Sequence, residues 1–589
     1  MIYGDFNLQK GDHDGASQGN VLPVWGGTTN PPIIGNSGET SPIIASGTTA
    51  SFTVHEYVRQ VQEDLLRLGF GVGGIPDGKF SERTEWAVRE FQIYAKMQTV
   101  ARVKAAKFGQ LLLSANGSPV SVSGVSVYYD SSAKLVAAAG QAPAATGGDG
   151  EGVSFYVDSL ESTTNQKIYS GPVSGVLNAA TREAIEFWLE NHYRCPVVIE
   201  AWRVNSSGTR IGLAQKGCNL WAHDDFNVGA PRIFFRDFTN YYSFPAGRSS
   251  SEYQTLGYYE AQAFGGPNAS VKHSWKTEAE MSISNVLGIE YNPTLADAPN
   301  FSTYRTVRVV AEAECFGRFD VINAWDNALV SAGPCHWTMG LYGNDKYQNG
   351  EFPAFIAYLK SVNLDAFMSA FGFFGLSPSK VWGDDTIYSS ATRTYATWVS
   401  LPTESYNDTN SPHAESELKE VGRTKDEAHY LKSWHWFYRL SMAGRTIGGY
   451  RKAMWGMAVA RVSKILDKDV SFSVNGSTVS AKLGQIFTSE KAVAILLRWH
   501  VYRPSHVVHN TYGRVVPAIQ DAIHNASTLS WGMPVASWTD SHESALTSAL
   551  LTKAAAVNTT ITNAVLFGAD QPQGSVRVSR NSFSLDESF

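Results

Sequence analysis

The stretch TYRTVRVVAEAECFGRFDVINAWDNALVSAGPCHWTMG, residues 303–340, concentrates carboxyl, imidazole and indole side chains. Read as a helix, its start places Val307, Val310, Ala311 and Glu314 on one stripe, while Arg308 and Glu312 pair four residues apart on another face. That stripe carries Glu314 to the edge of an apolar core. A carboxyl in apolar surroundings has its pKa raised, which is what a general acid needs to protonate a glycosidic oxygen near neutral pH. Glu312 is then a solvated, ion-paired group. Read instead as a strand, the segment puts Glu312 and Glu314 on the same face and the distinction is lost. Cleavage at a sugar also needs a nucleophile, or a base that positions water, on the opposite side of the ring. Asp326 is the first candidate and Asp320 the second. Ser331 and Gly333 suit a turn or strand that lets substrate approach the backbone. His336 and Trp337 suit the walls of a sugar groove, with a hydrogen-bonded, partly buried imidazole as the competing reading of His336.

The elements that must hold these groups are helical. EFPAFIAYLK and NLDAFMSAFGFFGL read as short helices; DEAHYLKSWHWFYRLSMAG, TIGGYRKAMWGMAVARVSKIL and TSEKAVAILLRWHVYRPSHV read as longer ones. His500 and Arg503 fall near the end of the last, with surface placement expected. Upstream, HEYVRQVQEDLLRLGF is an amphipathic helix with Val58, Val61, Leu65 and Leu68 in register. After the turn GVGGIPDGKF, Ser81 is placed as N-cap of a second helix with Thr84, Ala87, Phe91 and Tyr94 inward. A third helix, capped by Asn178, follows a β-rich insertion over about 99–168. The expected organisation is an extended arm (1–52), a three-helix domain with that insertion (53–195), an α+β connector (196–300), a mainly helical catalytic domain (301–570) and a tail (571–589), α+β and multidomain overall.

Gln62, Leu65, Leu68, Gly69, Phe70, Asp77, Gly78, Phe80, Thr84, Ala87, Val88, Phe91 and Gln92, then Gly175, Leu177, Asn178 and Thr181, form a pattern that resembles the type 1 peptidoglycan-binding domain. The resemblance implies peptidoglycan as partner, with Asp77 at the DG turn and Trp86 as substrate-contacting candidates. Glu314, Gly317, Asp320, Asn323, Trp325, Asp326, Ser331, Gly333, His336 and Trp337 resemble the signature of lysozyme-like transglycosylases and muramidases. Two departures stand out: His336 replaces the usual Gln, and Trp325 the usual Tyr. Together the resemblances imply a phage-tail or injection-machine lysin that opens the host wall without cofactor or metal. Glu314 would be its acid, and the arm would dock to tail or baseplate proteins. The alternative is an inactive structural component of the same particle.

Composition narrows the field. A net charge of −6 without a Lys/Arg cluster argues against a nucleic-acid binder, and no apolar run approaches the roughly 18 to 20 residues of a membrane span. The first residues have neither a basic start nor an apolar stretch, so no Sec signal is expected. There is no GxSxG elbow, HExxH, P-loop or Rossmann glycine pattern at a strand-to-helix junction. His223 with Asp224 and Asp225, and His506 with His509, are the close groups weighed for a metal amidase. Cys195, Cys218, Cys315 and Cys335 lack CxxC spacing; either two bridges, Cys195–Cys218 and Cys315–Cys335, or buried thiols fit.

Overall fold

The computed structural model describes residues 7–14, 40–45, 48–53, 57–70, 76–103, 121–122, 125–129, 135–137, 160–204, 210–216, 231–242, 258–260, 302–315, 317–323, 328–341, 351–378, 382, 396–398, 419–420, 430–532, 534–563 and 576–585. Helices and strands are mixed along the chain, which divides into two compact units. Unit 1 is Met1–Lys276 with Phe371–Ser377 and Thr397–Arg439; unit 2 is Thr277–Ala370 with Pro378–Ala396 and Leu440–Phe589. Among the described residues no helix is long and apolar enough to cross a membrane.

Unit 1 is built on three helices, α1 (Tyr57–Arg67), α2 (Glu82–Ala95) and α3 (Ala179–Glu190). Their apolar stripes meet in a core of Val61, Leu65, Phe70, Phe91, Ile185 and Trp188, all at most 1% exposed. One clamp is used twice. Gln62 Oε1 accepts from the backbone N–H groups of Asp77 and Gly78, both at 2.9 Å, while its Nε2 donates to Lys79 O and Thr84 Oγ1. Gln92 does the same one helix later. Its Oε1 accepts from the N–H groups of Ser174 and Gly175, both at 2.9 Å, and its Nε2 donates to Val176 O and Thr181 Oγ1. Gly78 and Gly175 both have positive φ, 71° and 78°, which these turns require and glycine adopts without strain. Each turn thus satisfies buried backbone donors through one glutamine of the preceding helix. Gln92→Ala should orphan two of them and lower the stability of unit 1 by about 2–3 kcal/mol, read from urea unfolding of the full chain.

The extended arm expected over 1–52 belongs in part to this domain. Leu8 pairs with Leu177 and His13 with Lys79, so residues 8–14 lie along both turns, and Leu8 is 1% exposed. The Asp14 carboxylate accepts from the N–H groups of Val58 and Arg59 at 2.8 and 3.0 Å, satisfying the first turn of α1. Thr40–Ala45 and Thr48–Thr53 form an antiparallel hairpin where no strand was expected. Asn178 caps α3 as expected, accepting from Thr181 N, whereas Ser81 precedes α2 without a side-chain bond. Thr99–Val103 lies between Leu160–Thr164 and Tyr193–Arg194 in a three-stranded antiparallel sheet, and Ser121–Val122, Val125–Tyr129 and Leu135–Ala137 form another within the β-rich insertion. The connector supplies a four-stranded antiparallel sheet centred on Val197–Val204 and Pro231–Asp237.

Unit 2 begins with α4 (Ser302–Cys315), followed by an antiparallel sheet of Ile322–Asn323, Ala328–Ala332 and Trp337–Leu341. Then come α5 (Glu351–Val362), α6 (Leu364–Ala370), α7 (Trp434–Thr446, from Leu440 onward), α8 (Gly448–Leu466), α9 (Leu483–Ile486), α10 (Glu490–Tyr502), α11 (Pro504–Val508), α12 (Val515–Asn525) and α13 (Asp540–Val557). Pro504 opens α11, which ends α10 earlier than the apolar period suggested. Helix α4 packs on α10 through a buried fork in which Arg305 Nε donates to Glu490 Oε2 at 2.9 Å. The tail is not loose over residues 576–585: Arg577 N donates to Glu490, Ser302 Oγ to Ser582 O, and the Arg580 guanidinium to Glu543 and the carbonyls of Gln485, Ile486 and Val535. It therefore secures the start of the helix that carries Glu314.

Candidate functional site

Glu314 lies at the C-terminal end of α4, with 6% of its side chain exposed. The helix ends there because Gly317 (φ 67°) turns the chain and its N–H bonds back to Ala311 O. A Cβ at Gly317 would meet the Glu312 carboxylate at 2.8 Å, so the turn is glycine for room as well as for angle. Arg308 and Glu312 pair at 3.2 Å, as their spacing predicts.

The sheet returns the chain to Glu314. Between its second and third strands, the turn from Gly333 to His336 closes with a 2.9 Å bond from His336 N to Gly333 O. His336 has φ 51°, a left-handed conformation that is uncommon for a residue with a side chain. That conformation accompanies a 2.7 Å contact between Nδ1 and Glu314 Oε2. Arg498, from α10, holds the other carboxyl oxygen. Burial pushes the Glu314 carboxyl up, but the His336 hydrogen bond and the charges of Arg498, His336 and Arg461 outweigh it and hold the group below the ordinary carboxylate value. This reverses the sequence expectation: an apolar setting alone would favour the protonated acid, whereas the His336 hydrogen bond and the nearby arginine charges make a carboxylate. At rest Glu314 can accept a proton or stabilise developing positive charge; it donates only after taking up a proton.

The other sequence candidates separate clearly. Asp320 is fully buried and its Oδ2 is bound by Arg318 at 3.0 Å and Arg445 at 2.7 Å, so it is a core ion-pair anchor and not a base open to substrate. Asp326 lies outside the described residues. Trp337 is 0% exposed and stacked on Phe355 at 5.4 Å, so it belongs to the core and does not wall a groove. Ser331 is likewise 0% exposed within its strand. The space that Gly333 leaves is taken by the Trp337 ring and the Met454 sulfur, not offered to a ligand. In unit 1 Trp86 is 7% exposed and stacked on Tyr430 at 5.7 Å, which removes it as a sugar platform. Asp77 stays exposed, its Oδ1 engaged by Gln62 Nε2 and Lys79 N.

Sequence reasoning missed the second layer. Arg461, on α8, donates through Nη1 and Nη2 to Glu351 at 2.9 and 3.1 Å, and through Nε to His500 Nδ1 at 3.1 Å. His500 is fully buried, not on the surface; burial and the Arg461 charge push it well below the usual imidazole range. Only Arg503 of that pair is exposed. Cys315 and Cys335 are free buried thiols rather than a bridge; burial raises both, Cys335 to about 12. Cys195 is also free and buried, and Cys218 lies outside the described residues. Among the described residues no group of three His, Cys, Asp or Glu side chains could hold a metal ion.

No curated protein and no solved structure matches the chain. Residues 54–99, from just before α1 through α2 to the start of the following strand, match the family model described as "Putative peptidoglycan binding domain", and the chain therefore contains a peptidoglycan-binding domain of type 1.

Proposed function

We propose that the protein is a peptidoglycan-degrading glycosidase of muramidase or lytic transglycosylase type, carried by a phage tail or related injection machine and opening the host wall locally. The observation that carries the reading is Glu314. It is a carboxylate at the end of a buried helix, met by the turn of the following antiparallel sheet, in a chain that also bears a peptidoglycan-binding domain. In this reading the domain holds the wall and Glu314 acts at the glycosidic bond. Substrate that drives water out and loosens the His336 contact removes the largest charge-favouring hydrogen bond and leaves burial to raise the carboxyl toward protonation. The protonated group then gives its proton to the leaving oxygen as the C1–O bond breaks, and C1 is taken by water, giving a reducing end, or by the sugar's own 6-hydroxyl, giving a 1,6-anhydro end, with the released proton returning to Glu314. Attachment to a particle is supported by the Gly/Pro/Asn/Ser/Thr-rich sequence between Asp14 and α1, whose composition suits a docking arm.

A second reading, a structural tail component that binds wall without cutting it, is favoured by the near-complete enclosure of Glu314 and its engagement at both oxygens. Incubating the full chain with purified sacculi separates the two. Soluble muropeptides with reducing or 1,6-anhydro ends support the enzyme, and the end-group names the type. Sedimentation with sacculi and no soluble product supports the structural reading.

A further inference from the structure

Arg461 is fully buried, and its guanidinium reaches three elements at once. Nη1 donates to the carbonyl of Cys335 at 3.1 Å, immediately before His336. Nη2 donates to the carbonyl of His500 at 3.2 Å, two residues after Arg498 on α10. Both terminal nitrogens grip the Glu351 carboxylate at the start of α5, and Nε donates into His500 Nδ1, which must be unprotonated to accept. One cation therefore holds the carbonyl just before His336 and the carbonyl two residues after Arg498, and both of those residues touch Glu314. His336 needs such support, because a left-handed backbone at a residue with a side chain persists only where the surroundings hold it.

We propose that Arg461 is a positioning residue of the Glu314 site: by fastening the Cys335 and His500 carbonyls it keeps His336 and Arg498 on the Glu314 carboxyl, with Glu351 holding the guanidinium in orientation. Among the described residues, the charged and titratable groups around Glu314 are His336 and Cys335 from the turn, Cys315 beside it on α4, Arg498 from α10 and Arg461 from α8, with Glu351 of α5 behind Arg461. The inference rests on the proposed glycosidase only for its effect on rate; its effect on Glu314 is independent of any activity.

Arg461→Met alone leaves Glu351 without its counter-charge, so the informative variant is Arg461→Met with Glu351→Leu, which removes both charges together. In full-length protein carrying 13C-carboxyl glutamate, with the Glu314 resonance assigned by its loss in Glu314→Gln, the titration midpoint of Glu314 should rise on the order of one pH unit in the double variant. With sacculi, kcat should fall about 100-fold with KM within about threefold, as expected when a reacting group is displaced without loss of binding. Arg461→Lys, which keeps a charge but not the fork, should show the same midpoint shift, and it carries the test if the double variant does not fold. A folded variant with the wild-type Glu314 midpoint overturns the proposal whatever its rate. If the wild type releases no muropeptides, the glycosidase reading falls, and the midpoint alone decides the role of Arg461.

Discussion

Glu314→Gln is expected to lower muropeptide release by about 10³-fold, within the range contributed by a positioned acid or base, while binding to sacculi stays at the wild-type level. Glutamine keeps the shape of the side chain and an oxygen for Arg498 or His336, but it cannot carry the proton. The peptidoglycan-binding domain lies in unit 1 and Glu314 in unit 2, so retained binding reports on unit 1 alone, and a cooperative urea transition of unit 2 is what separates this outcome from misfolding. The substitution should also alter the response to acid. The folded-state value of Glu314 is depressed, so its stabilising contribution is present above the ordinary carboxylate value of 4.5 and is lost as pH falls through the depressed value. The variant should lack that part of the acid destabilisation of unit 2, measured by urea unfolding across a pH series. Equal release from wild type and variant would leave an activity that belongs to another residue.

What the sequence made legible follows from local periodicity. The 3.6-residue stripe through Val307, Val310 and Ala311 located α4 and put Glu314 at its buried end; the i,i+4 rule located the Arg308–Glu312 pair. The helices of unit 2 that were recognised were found the same way. What decides the state of Glu314 is non-local. Arg498 and Arg461 come from helices far along the chain, and no spacing rule brings them to α4. His336 was visible as a neighbour, yet its role depends on a backbone angle that composition does not encode. Asp320 shows the reverse error: closeness in sequence to Glu314 suggested partnership, but two arginines seal it in the core. Residues 8–14 escaped notice because one short extended segment has no period of its own and gains its structure by pairing with two distant turns. Trp86 was offered to ligand because the amphipathic pattern named one inward face of α2. In unit 1 the other face is covered as well, and Thr84 through Ala95 are all buried.

That wider burial of α2 leads to the largest stability effect expected in the chain. Glu90, flanking the expected stripe of α2 three residues after Ala87 and four before Tyr94, is 1% exposed. Its Oε1 accepts from Tyr430 Oη at 2.5 Å and from Arg439 Nη1 at 3.0 Å, Arg439 Nη2 meets Oε2, and His435 Nδ1 stands 3.8 Å from Oε2. The guanidinium of Arg439 is itself enclosed, lying 4.5 Å from the Phe374 ring centroid and 5.1 Å from that of Trp436. Burial alone would push Glu90 up, but Arg439, His435 and the hydrogen bonds hold it below its ordinary 4.5. Glu90→Gln leaves the buried cation without a counter-charge, and a broken buried pair costs about 3–5 kcal/mol because the remaining charge stays desolvated. Unit 1 should lose that much at neutral pH, seen as a lower urea midpoint and faster hydrogen exchange across residues 82–95. The depressed value fixes the direction with pH: the wild-type advantage over Glu90→Gln is full above 4.5 and narrows as pH falls through the folded-state value. A constant gap between the two proteins down to pH values well below 4.5 would mean that Glu90 contributes through its shape and hydrogen bonds and not through its charge.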